Sequence, residues 1–312
     1  MTAFVTLNRT DSSPGVTLRK CLSFTYTQER YSCASVFKGR FLVEGEVGDI
    51  LRVEAGMDGR TLLRGFPARA AYTKSDGRCE LEIEAVSYAA LLDENYIQPG
   101  MYPRVSLNSL IFELIRLEDV TCQESASTIN YISVTDHTSM WDSIGILCLR
   151  QFGVLPYVAH GNVVRFSTEG GYRVIAPTRI LETSFSLNTT RLVSDIHMQD
   201  AQGNYGVHQL HSEYPLERGI LRHKQIAYDK AWLADTELGL RQRMGFTQRA
   251  AKAYSVTYLG YSGEGLYDRI HVEDSYPALA PGKIAAMTVQ GDHDGVRTRV
   301  SVYEDMFANL NT

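Results

Sequence analysis

No stretch of the 312 residues approaches the ~18 uninterrupted apolar positions that a membrane-spanning helix needs. The opening MTAFVTLNRTDSSPG also lacks the basic start and apolar core of a secretory signal, so a chain made and kept in a cytoplasm is expected. Charge of one sign is scarce: the net charge is -5, the pI is near 5.9, and no block of five like charges occurs. That balance provides no basic footprint for gripping a nucleic acid. The five cysteines, Cys21, Cys33, Cys79, Cys122 and Cys148, are odd in number and widely spaced, with no CxxC pair and no histidine at a metal-ligand spacing. Reduced core thiols are expected, not a disulfide frame or a zinc site. Walker A and GxGxxG motifs are absent, which removes the common phosphate cradles.

The residues that are present describe an ordinary globular chain, 44% apolar and 21% charged, and its length suits two or three compact units. Eighteen tyrosines, with many Thr and Val, favour strands. In CELEIEAVS, Cys79, Leu81, Ile83 and Ala85 alternate with Glu80, Glu82 and Glu84, the period of a strand with one wet face. Asp58-Gly59 and Asp76-Gly77 supply the positive φ angles of tight hairpins, so a meander over about residues 40–86 follows.

The period then changes. Leu107, Leu110, Ile111, Leu114 and Ile115 share a helical face behind Ser106 as N-cap. Trp141, Ile144, Cys148 and Phe152 form a second stripe, with Ser139 as cap and Gly153 as the left-handed stop, and Trp141 is assigned to core. Short strands TINYISV, VLPYVA and NVVRFST surround these helices, the last two joined at His160-Gly161-Asn162. Looser strand patterns resume from about 178, followed by a long helix near 229–253 carrying Trp232, Leu240, Met244, Ala251 and Tyr254. The strands YSVTYLGY, RIHVED, KIAAMTVQG and VRTRVSVYE close the chain. The fold class expected is mainly β with α+β elements.

Candidate chemistry is sparse. Gly260-Tyr261-Ser262-Gly263-Glu264 has its second glycine one place too early for a nucleophile elbow and reads as a loop between strands. His208 and His211, beside Glu213, could share a metal on a helix, but their surroundings are strand or loop. Asp292, His293 and Asp294 have the chemistry for a divalent ion and the position of a solvated hairpin tip. Paired carboxylates for glycoside cleavage are defined by a spatial gap of roughly 5–10 Å, which leaves no mark among 36 acidic residues. No catalytic, cofactor or metal residue is therefore assigned.

The order of features resembles the hub proteins of contractile phage tails. That family includes late-control-D-type proteins, the hubs of phage-tail-like bacteriocins and the first part of the type VI secretion spike. The resemblance rests on FTYTQERYSCASVFKGRFLVEG, on FPARAAY leading through LEIEAVSYAALLDENYI, on SLNSLIFELI, on TSMWDSIGILCLRQFGVLPYVAHGNVVRF, and on the long helix ending in YSVTYLGY. Leu266-Tyr267-Asp268-Arg269 stands where the family has Pro-Gly-Asp. The resemblance implies two β-barrel-like tube domains, 1–95 and 176–312, with a small α/β domain, 96–175, between them. It further implies a homotrimer whose six barrels match a six-fold tail tube, bound to tube protein on one side and to the central spike on the other, with other baseplate proteins around it. The expected site of action is the baseplate of a virion or tail-like particle, with non-specific DNA passage through the lumen in a phage, and with no membrane contact, no cofactor and no catalysis. A tail-associated peptidoglycan hydrolase and a cytoplasmic β-rich ligand-binding protein are the other two classes the residues allow.

Overall fold

The computed structural model describes residues 2–11, 14–45, 47–232, 235–272 and 282–303. Seven strands come first: β1 (Ala3–Arg9), β2 (Val16–Leu18), β3 (Cys21–Glu29), β4 (Ser35–Val43), β5 (Ile50–Met57), β6 (Arg60–Ser75) and β7 (Arg78–Ser87). The middle of the chain holds α1 (Leu91–Glu94), β8 (Gly100–Val105), α2 (Leu107–Ser109), β9 (Thr121–Cys122), β10 (Ile129–Val134), α3 (Met140–Phe152), β11 (Tyr157–Ala159) and β12 (Val163–Arg165). After these come β13 (Tyr172–Ile175), β14 (Ile180–Leu187), β15 (Asp195–Met198), β16 (His208–His211), α4 (Glu213–Leu216) and β17 (His223–Ile226). The last elements are α5 (Thr236–Gln248), β18 (Lys252–Leu259), β19 (Arg269–Val272), β20 (Gly282–Asp292) and β21 (Gly295–Tyr303).

Local chemistry explains most of these boundaries. Asp58 and Gly59 turn β5 into β6 at φ of 48° and 79°, and Asp76 and Gly77 turn β6 into β7 at 51° and 73°. On β7, Leu81, Ile83 and Ala85 are fully buried, while Glu84 meets Lys38 at 3.0 Å and Glu80 meets Arg40 at 2.6 Å across the strand pair. Ser106 accepts a hydrogen bond from the Ser109 N–H at 3.0 Å, and Ser139 accepts one from the Asp142 N–H at 3.0 Å, so both expected caps form. The first helix then widens. Arg116 donates its N–H to the carbonyl of Ile111, five residues back, and stops the turn in the left-handed region. Gly153 ends α3 at φ 70°, as expected.

The main sheet runs β14-β18-β21-β20-β3-β4-β7-β6-β5-β1-β2, with β19 and then β13 branching from β20. The two ends of the chain therefore share one sheet. Their seam is the antiparallel pairing of β3 with β20, from Phe24 opposite Gly291 to Glu29 opposite Ala286. Glycine is required at the seam because a Cβ on Gly291 would lie 2.2 Å from the Phe24 ring. The β-rich expectation holds, but the two barrels expected from the resemblance are not closed: among the described residues the strands follow an open path from β14 to β2. β1 turns away to pair with β5 and β2, not back to β3, and this leaves the sheet open.

Three cores result. The first spans both ends of the chain, from Val5, Phe37 and Leu81 to Met287, Val289 and Val300. The second belongs mostly to the middle elements but takes in Tyr31, Ala285 and Tyr303; Tyr303, an odd number of residues from Val300, points to the opposite face of β21. The third is small, with only Val193, Ile196, Met198, Leu240 and Met244 fully enclosed between α5 and the sheet β16-β15-β17. The long helix is shorter than expected at both ends: residues 230–232 form a separate 3₁₀ turn, Leu233 and Ala234 lie outside the described residues, α5 stops at Gln248, and Tyr254 belongs to β18. Glu273 and Asp274 of RIHVED, and Glu304 of VRTRVSVYE, also lie outside them.

Candidate functional site

One free end of the main sheet, β14, carries a row of exposed apolar side chains. β14 pairs only with β18. Its outward row of Leu181, Phe185 and Leu187 is 51%, 46% and 54% exposed, and Glu182 is its single charged residue. Tyr172 and Val174 on neighbouring β13 are exposed to a similar degree. Such an edge, with an unpaired row of backbone groups and no lysine or proline to guard it, is a template for another strand. The opposite end is the three-residue β2, which pairs only with β1.

Behind the seam lie two buried polar clusters. Arg30, 1% exposed, places its guanidinium over the rings of Tyr31, Tyr267 and Tyr303 at 4.6, 5.1 and 5.4 Å, and its backbone N–H donates to the Ala285 carbonyl at 2.7 Å. Because Tyr267 belongs to the first core and the other two rings to the second, Arg30 joins the cores electrostatically as well as by contact. Tyr267 itself takes a left-handed backbone at φ 67°, held by Asp268, which accepts the N–H groups of Gly171 and Gly265 at 2.6 and 3.1 Å. This is how Leu266-Tyr267-Asp268-Arg269 forms the turn into β19.

In the second cluster His160 lies between the Tyr26 hydroxyl, 3.1 Å from Nδ1, and the Tyr261 hydroxyl, 3.5 Å from Nε2. Tyr261 donates to the Glu264 carbonyl at 3.0 Å, and the Glu264 carboxylate accepts the Ser262 N–H at 2.9 Å. Burial holds the imidazole below its ordinary pKa. Tyr26, Tyr261 and Glu264 are each less than a tenth exposed, while His160 itself keeps a partly exposed edge. The cluster ties β3 to the β11–β12 hairpin and the β18–β19 loop.

The structure separates several residues that the sequence places close together. His208 and His211 lie on β16, where a spacing of three puts them on opposite faces. His211 instead brings Nδ1 to 2.7 Å from Asp195 on β15, and His223 on β17 approaches the other carboxylate oxygen at 3.1 Å. Cross-strand register makes this trio, and no sequence spacing announces it. Its hydrogen bond to His211, with a second from Ser194, holds the Asp195 carboxyl below its usual range. Asp292, His293 and Asp294 form the exposed β20–β21 tip, their potential ligand atoms within 4.8 Å of one another, and Asp292 accepts the Asp294 N–H at 2.8 Å. Ser262 is exposed in the loop between β18 and β19, not in the strand-to-helix turn that a nucleophile elbow requires. Trp141 packs against the second core beside Ile144 and Cys148, which are fully buried, and its partly exposed ring also lines a groove of about 350 Å³ with Tyr31 and Phe246.

No family model and no curated relative matches the chain. Solved structures do. A tail protein from Neisseria meningitidis MC58 superposes with a TM-score of 0.73 at 14% identity, covering 98% of this chain and 97% of that one. The 43 kDa tail protein of prophage MuSo2 from Shewanella oneidensis gives 0.70 at 11% identity, with 99% of both chains covered. A type VI secretion component of E. coli, described as similar to bacteriophage T4 tail proteins, gives 0.56 at 10% identity over 92% of this chain and 74% of its own. At these identities the likeness defines a fold, and the fold is that of phage tail proteins and spike-related secretion proteins along the whole chain.

Proposed function

We propose that this chain is the structural hub of a phage or phage-tail-like particle, a homotrimeric ring that joins a six-fold tail tube to a trimeric central spike. The observation that carries the reading is the open sheet with its seam at β3 and β20, left with one free edge at β14 and another at β2. Copies set head to tail cover both of these edges. The whole-length likeness to tail proteins supports the same role. The division into units 1–95, 96–175 and 176–312 belongs to this reading, as do tail tube, spike and other baseplate proteins as partners and the baseplate as the place of action. Its role is architectural, not catalytic. On the wet face of β4 and β7, Lys38 and Arg40 stand opposite Glu84 and Glu80, a balance of charge that suits a wall past which DNA slides without being held. No helix among the described residues is long and apolar enough to cross a membrane.

Native mass spectrometry of the chain with and without its spike tests the proposal. A three-copy assembly is expected, and a stable dimer or tetramer under both conditions contradicts it. Release of peptidoglycan fragments that stops on replacing one carboxylate would establish the hydrolase instead.

A further inference from the structure

The small lobe built from β15, β16, β17 and α5 has an unfinished core. The helix packs over β16 and β15, while β17 is a terminal strand that sends only Ile226 into the core and leaves Lys224 on the same face exposed. The uncovered strip is a groove of about 560 Å³ with an apolar floor of Val193, Ile196, Ile226 and Phe246. Phe246 is 39% exposed overall and borders both this groove and the one beside Trp141. The walls are cationic. Arg191 and Lys224 stand exposed with no carboxylate partner among the described residues. Arg222 is held in place by donating to the carbonyls of Thr190 and Leu192, at 2.5 and 2.9 Å, so its charge stays at the rim uncancelled. Arg243 completes the lining and is paired with Asp229. No acidic side chain lines the groove, in a chain whose net charge is -5.

We infer that this groove receives an extended acidic peptide of a partner protein, which lies along β17, seats an apolar side chain against Phe246 and Ile226, and pairs carboxylates with Arg191 and Lys224. A strand added at β17 gains backbone pairing, the apolar floor gives it an anchor, and the rim sets its charge. An apolar floor gives a bare anion or a phosphate backbone nothing to bury. The inference goes beyond the hub reading and does not depend on it.

The test is fluorescence anisotropy on the full chain with labelled octapeptides in which Asp or Glu alternates with Leu or Phe. Controls keep the spacing but carry Lys and Arg, or keep the acids and replace the apolar residues with Gly and Ser. The acidic-apolar peptides are expected to bind, and to weaken as salt rises from about 0.1 M to about 1 M. The double variant Arg191→Glu with Lys224→Glu, both exposed positions, should melt like the parent and bind at least about tenfold more weakly. Binding of every acidic-apolar peptide weaker than about 1 mM overturns the inference. So does an unchanged affinity in the double variant, or equal affinity for the basic or Gly/Ser controls, the latter marking a simple anion site. Residues 304–312 carry Glu304, Asp305, Met306 and Phe307 in sequence. A gain of about tenfold or more on deleting them would assign the groove to the chain's own end and overturn the external partner.

Discussion

The main sheet and the α5 lobe solve the same packing problem with very different resources. On the sheet, Phe24, Phe37 and Phe41 follow one another at ring separations of 6.1 and 6.5 Å within a core that draws on both ends of the chain. In the lobe, five side chains are enclosed and a strand face stays bare. Stability that depends on buried apolar area is therefore concentrated at the seam and thin in the lobe. The difference teaches that the sheet is the rigid frame and that the lobe is where completion by another molecule changes most.

Replacing Phe37 with Ala should break the frame and cost about 3–5 kcal/mol, measured as a shift of the whole denaturation curve. Met244→Ala in the lobe should instead raise hydrogen exchange in β15–β17 and leave the main transition in place; a single shared transition for both variants would erase the distinction between the two regions. Next in size is Arg30→Ala, which removes the cation from among three buried tyrosine rings at the border of two cores and should cost about 2 kcal/mol or more. The tryptophans sharpen the comparison within the second core. Trp232, 4% exposed, should behave as a core residue, whereas Trp141→Ala should cost less, about 2 kcal/mol, because its side chain is only partly buried against that core.

The smallest effect belongs to Asp195. Its carboxyl is held below the usual range by His211, so its contribution is complete above the unfolded value of about 3.9 and is lost as pH falls through the lower folded value. Hydrogen exchange at β15–β17 should therefore rise below about pH 4 while the main sheet stays protected. Asp195→Asn should abolish that acid step; an unchanged pH profile in the variant would show that the trio does not hold the lobe.

Residues acting over a few positions were legible from the chain alone. Asp58-Gly59, Asp76-Gly77, Ser106, Ser139, Gly153 and the alternation of β7 each satisfy a local backbone or periodicity requirement, and each appears where it was read. The reach of α5 was overestimated because its apolar spacing runs on past both ends: Trp232 closes a 3₁₀ turn before the helix, and Tyr254 already lies in β18. The Trp141 stripe faces the second core as its spacing requires, but a stripe does not tell how deeply each of its residues is covered.

The long-range arrangement was decided in three dimensions. Nothing near Phe24 announces Gly291 as its partner, because register between strands some 260 residues apart is set by which faces can be buried together, and that leaves no period in the sequence. The same holds for Arg30, which reads as a surface cation until Tyr267 and Tyr303 close over it, and for Asp195, His211 and His223, joined only by strand pairing. The sequence by itself determined the β-rich class, the hairpin turns and the helix caps, since these depend on local dihedral and capping chemistry. Only the tertiary structure decided the seam, the open edges and the bare groove, since these depend on which surfaces remain once distant segments have packed.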